Sequence, residues 1–167
     1  ALPCIAALSA AQQAAVRFTQ AELQYNHGWL VQGEAPPGAL FSRFKAKLAQ
    51  SGSASPAADV AFYFVHWLTD LAGAVPAPLR GAEQFASRLP LHVSCSIIGT
   101  VHVPMRLAGT SETELMEDYL VGTWRERRQI LQELPTGPHA IALMRLVAQV
   151  SLCNRVHRPH TAHTRRF

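Results

Sequence analysis

His66 and Asp70 are the most suggestive pair of side chains in the sequence. Four residues separate them, so in a helix they share one face. An imidazole beside a carboxylate can act as a general base oriented by its acidic neighbour, or supply two ligands to a metal ion. Two ligands are too few for a metal site. A third would come from His92, His102 or Glu83, and the spacing specifies none of them. The plainer account is a histidine satisfied by a local partner near a helix end, because buried polar groups find partners.

A second group lies near the C-terminus. Cys153, His157, His160 and His163 place a thiol and three imidazoles at short intervals, a pattern that suits zinc. Pro159 and polar neighbours deny it a rigid frame, which favours a basic tail instead. Residues 154–167 contain Arg155, Arg158, Arg165 and Arg166 and no acid. These arginines are candidates for contacts with an acidic protein, nucleic acid or anionic lipid. No aromatic residues alternate with them, so the stacking platform of a single-strand binder is missing. Arg125, Arg127 and Arg128 form another candidate anion clasp, with Arg125 and Arg128 the principal members. Glu126 and the acids upstream favour reading that cluster as a solvated helix face. The sequence contains no glycine-rich phosphate loop, no nucleophile elbow, no paired-histidine zinc motif and no EF-hand loop. His92 and His102 flank an apolar run at a spacing that matches no metal pattern. The three tryptophans, Trp29, Trp67 and Trp124, read as core or groove anchors.

The elements that must carry these residues are helical. Ser9 with Gln12 forms a capping box opening a helix that the composition allows to run to Asn26, with Gly28 a possible stop. Pro36 and Pro37 mark a turn. Leu40, Phe41, Phe44 and Leu48 then make one apolar stripe over residues 39–50. Ser55-Pro56 is a start signal for a helix reaching about Ala72, with Gly73 beyond it. Val60, Phe64 and Leu71 follow helical spacing there. Phe62, Tyr63 and Val65 make the other faces apolar too, which predicts a central, buried position. Residues 81–88 allow a short helix.

Residues 91–103 are rich in Val, Ile, Ser and Thr, and propensity alone permits a strand. No second strand-like run exists to pair with it, so a buried helix is the expectation. Ser111 and Glu114 open a helix predicted to run to Leu134, acidic early and basic late as the helix dipole prefers. A last helix runs from about Thr136 to Cys153.

The fold class is therefore all-α: an irregular bundle of six or seven helices, with residues 1–153 as the helical domain and 154–167 as a basic tail. Lysine and arginine total 15 and acids 11, for a net charge of +4. The four tail arginines account for that excess and leave a neutral body, which argues against a broad nucleic-acid surface. Three scattered cysteines without a CxxC fit a reducing, intracellular setting. No apolar run approaches the roughly 20 residues of a transmembrane helix. Residues 1–10 are small and apolar but lack the basic start of a signal peptide. The leading functional expectation is a helical protein-interaction or regulatory domain, part of a larger chain or assembly. The alternatives are an α-helical, metal-dependent enzyme using His66 and Asp70, and tail-driven binding to nucleic acid or anionic surfaces.

Overall fold

In a computed structural model of the chain, which describes residues 3–73, 90–126 and 133–155, Ser9 and Gln12 form the reciprocal capping box read from the sequence. The described residues form eight α-helices and one 3-10 turn: α1 (Pro3–Ala6), α2 (Ala10–Thr19), α3 (His27–Gln32), α4 (Pro37–Ser51), α5 (Pro56–Gly73), α6 (Leu91–Thr100), the turn Pro104–Arg106, α7 (Glu112–Glu126) and α8 (Ala140–Arg155). There is no strand among them. The run at 91–103 begins as helix α6, consistent with the absence of a strand partner, but it is not the buried helix expected, since Leu91 and Ile98 face solvent. The suggested helix at 81–88 lies outside the described residues.

The first long helix stops earlier than its composition suggests. It ends at Thr19, and Gln24 takes a positive φ of 48° on the way to a new start. That start is set by Asn26, whose side-chain oxygen accepts hydrogen bonds from the Gly28 and Trp29 amides. Gly28 therefore sits in the first turn of α3 rather than ending α2. The end of α3 is fixed by Gly33 at φ 61°, a left-handed conformation that favours glycine. A Cβ at this position would also come within 3.1 Å of Leu120 Cδ2 and 3.5 Å of Ala148 Cβ. Gly33 thus lets the end of α3 wedge between α7 and α8.

The core forms where α4 and α7 meet. Leu40, Phe41, Phe44 and Leu48 of α4 are buried, as their stripe predicted, and Leu115, Met116 and Leu120 oppose them from α7. At the start of α7 the Ser111 hydroxyl accepts from the Glu114 amide. Lys45 donates to the Thr110 carbonyl at 2.8 Å and Ser42 to Glu112 at 3.0 Å, which ties this end to α4. The helix α5 is not the interior rod its composition implies. Val60 and Phe64 are buried, but Phe62 and Val65 face solvent. An apolar face is not sealed merely by being apolar; among the described residues the neighbouring helices leave the Phe62 and Val65 side of α5 uncovered.

Phe44→Ala removes a fully buried ring in contact with Phe18, Tyr25 and Tyr63. We expect a loss of about 3–5 kcal/mol in urea or thermal unfolding. Phe62→Ala, on the exposed side of α5, should cost about 1 kcal/mol or less.

Candidate functional site

His66 sits half-buried on α5, and its Nε2 accepts a hydrogen bond from Gln20 Nε2 at 3.0 Å, joining α5 to the end of α2. The nitrogen that would abstract a proton or hold a metal is therefore engaged in a contact between helices. Asp70 is exposed, and among the described residues no hydrogen bond joins it to His66. Arg125 is exposed on the last turn of α7. His102 is exposed, and its Nδ1 donates to the Gly99 carbonyl at 2.8 Å. Glu83, Arg127, Arg128, His157, Arg158, His160, His163, Arg165 and Arg166 lie outside the described residues, as do the side chains of His92, Cys153 and Arg155. Among the described residues, no three of His, Cys, Asp and Glu are arranged to hold a metal ion.

A cleft of about 340 Å³ separates α6 from α7. Val31, Val103, Leu115 and Ala148 give it apolar lining, and all four are buried. Polar lining comes from His102 and Cys95 on one side and from Arg106, Asp118 and Glu126 around the other. Arg106 and Asp118 pair at 2.7 Å, each about half exposed, so water screens the pair and it adds little stability. Tyr119 spans the base, its hydroxyl donating to the Val31 carbonyl at 2.8 Å.

Two glycines line the cleft, Gly99 on α6 and Gly122 on α7. Neither has a positive φ, and a Cβ at either position would meet no heavy atom within 4 Å. Neither backbone conformation nor close packing requires glycine there, although glycine inside a helix carries an entropic cost.

The residue that sequence reasoning missed is His27. Its ring is 4% exposed at the start of α3. Nε2 lies 3.0 Å from the Ile97 carbonyl and 2.8 Å from Thr100 Oγ1, both on α6. A carbonyl only accepts, so Nε2 carries the proton. Nδ1 is then the acceptor for the Tyr25 hydroxyl at 2.9 Å. Phe64 and Trp67 of α5 complete an aromatic cage, with ring centroids at 5.1 and 6.1 Å. Burial pushes the imidazole below its ordinary value of 6.5, against a smaller opposing effect of the Ile97 carbonyl. Burial, with smaller contributions from Tyr63 and Tyr119, holds the Tyr25 phenol well above 10.0, which keeps it a donor. The available sequence signal was a histidine following an Asn cap and flanked by Tyr25 and Trp29.

The remaining feature is the outer face of α8. Met144 and Ala148 point into the core. Leu143, Leu146 and Val150 are 44%, 56% and 50% exposed and alternate at spacings of three and four. Arg145 turns the other way: Nη2 donates to the Ala35 carbonyl at 3.4 Å, while its buried Nε has no partner among the described residues. The helix thus directs an arginine toward the core and leucines toward solvent.

Compared with protein-family models, with curated proteins and with solved structures, the chain matches none. Among the described residues no helix is long and apolar enough to cross a membrane.

Gly122→Ala should stabilise the protein by about 0.5–1 kcal/mol in thermal or urea unfolding, because alanine favours the helix and its methyl enters empty space. A loss of stability would mean that the cleft wall is more tightly packed than this geometry requires.

Proposed function

We propose that this chain is a protein-interaction domain that receives an acidic amphipathic helix of a partner protein along the outer face of α8. The observation that carries this reading is the exposed Leu143–Leu146–Val150 stripe on a helix whose opposite face already serves the core. Three apolar side chains at alternating spacings of three and four match the anchors of helix-on-helix recognition. Large apolar residues grouped on one face, rather than scattered singly, mark a contact surface.

Charge selects the partner. Apart from Arg145, which turns toward the core, residues 135–167 carry Arg155, Arg158, Arg165 and Arg166 and no acidic residue. Two copies of this segment would bring like charges together, whereas a helix edged with glutamate or aspartate would find opposite charge in the stretch of sequence that follows the apolar seam. On this reading the basic tail, with Arg155, Arg158, Arg165 and Arg166, attracts the partner electrostatically and α8 anchors it.

The test uses the full chain and a fluorescent synthetic helix with leucines at the same alternating spacing and glutamates on both flanks. Binding measured by anisotropy should be saturable and weaken with salt. Leu146→Ser combined with Val150→Ser should reduce affinity at least tenfold with little change in melting temperature, since exposed substitutions shift stability by about 0.5 kcal/mol each or less. A lysine-flanked version of the helix should not bind. Unchanged affinity in the serine variant would overturn the proposal. So would a dimer in light scattering that the serine variant disperses, or preferential binding to duplex DNA or anionic vesicles that the variant leaves intact.

A further inference from the structure

Two non-local polar contacts of α6 converge on one titratable ring. His27 is the only buried histidine among the described residues, and its Nε2–H reaches both Ile97 and Thr100 of α6. Thr100 Oγ1 can accept from this N–H because its own proton is directed to the Ser96 carbonyl at 2.8 Å or the Ile97 carbonyl at 3.1 Å. On the other side of the ring, Nδ1 accepts from Tyr25. The neutral tautomer therefore satisfies every hydrogen-bonding atom of the imidazole.

A second proton has no place in this arrangement. It would occupy Nδ1 and oppose the Tyr25 O–H. For Tyr25 to accept instead, its hydroxyl would have to turn its own proton away from Nδ1, giving up the hydrogen bond it donates there, with its ring held against Phe41, Phe44 and Phe64. The groups facing His27 are uncharged on every side. Tyr25 comes from the segment before α3, Phe64 and Trp67 from α5, and the Ile97 carbonyl and Thr100 hydroxyl from α6. Among the described residues no carboxylate bonds the ring to compensate a charge. His66, also on α5, is bonded to Gln20.

We propose that His27 is an acid-sensitive latch: neutral, it holds α6 against α3 and the rings of α5, and protonated, it releases α6. The released element is a distinct one. It forms one wall of the cleft and exposes Leu91 and Ile98 on its outer side, so release would open the cleft and free more apolar surface. The core formed by α4 and α7 is built from their direct packing, and neither helix hydrogen-bonds the His27 ring.

The direction follows from proton linkage. The unfastened ring takes a proton near 6.5, and the latched ring only at lower pH. Between those two values the open form binds more protons, so the latch is at full strength above 6.5 and weakens as pH falls below it.

The test is hydrogen–deuterium exchange of the full chain across this range, corrected for the intrinsic pH dependence of exchange. NMR titration of the His27 ring in the same protein is the companion measurement. Exchange of residues 91–103 should accelerate below 6.5, approaching tenfold per pH unit. Protection of α4 and α7 should persist. His27→Gln, which retains a donor and an acceptor but does not titrate, should abolish the pH dependence. If that variant fails to fold, the wild-type ring titration decides: its midpoint must lie below 6.5 and coincide with the opening of α6. A ring that titrates while α6 stays protected would overturn the proposal. So would loss of protection everywhere at once, or an unchanged pH profile in His27→Gln.

Discussion

Placing an imidazole among aromatic rings costs more than placing a phenyl there, unless each nitrogen is given a partner. His27 meets that condition only if α6 brings Ile97 and Thr100 to one nitrogen and the chain before α3 brings Tyr25 to the other. The requirement is directional, unlike the hydrophobic contacts around it. It therefore specifies where α6 must lie, and apolar packing alone does not. Helix α6 is apolar on several sides, with Leu91 and Ile98 outward, and could bury more than one face equally well. The hydrogen bonds to His27 select among those alternatives.

The position of α3 is determined from both ends. Asn26 satisfies the first amides of the helix, and Gly33 lets its last turn approach Leu120 and Ala148. Only six residues lie between these caps, too few for a helix to be stable alone in water. Tertiary contacts hold it, and α3 in turn packs against both α6 and α8. The cleft follows from this geometry. Val31 of α3 and Ala148 of α8 contribute to its lining, while α6 and α7 stand apart on either side.

Local signals were legible where local chemistry decides the outcome. The capping box at Ser9, the apolar stripe of α4 and the Ser55-Pro56 start all appear where their residues predict, since caps and 3.6-residue periodicity are properties of a single segment. Helical propensity across residues 20–26 misled, because alanine, glutamate and glutamine favour a helix until an Asn side chain offers the backbone a competing arrangement. The centrality of α5 was misread for a different reason. Composition reports which faces could be buried, and the number and placement of neighbours determine which are. Neither the cleft nor the aromatic cage of His27 is written in any one segment, since each joins residues some 70 positions apart, as His27 and Ile97 are.

The glycines separate what folding requires from what it leaves open. At Gly33 the positive φ and the nearby Leu120 side chain both disfavour a larger residue, so the fold alone accounts for glycine. At Gly99 and Gly122 the backbone is right-handed and the space ahead is empty, so the fold does not account for it. The outer face of α8 poses the same question with opposite chemistry. Its leucines gain nothing from water, and a helix built only for the core would direct Arg145 outward and leave polar residues where Leu143 and Leu146 stand. In both places the sequence departs from what packing would choose, and such departures concentrate where a protein meets something other than itself.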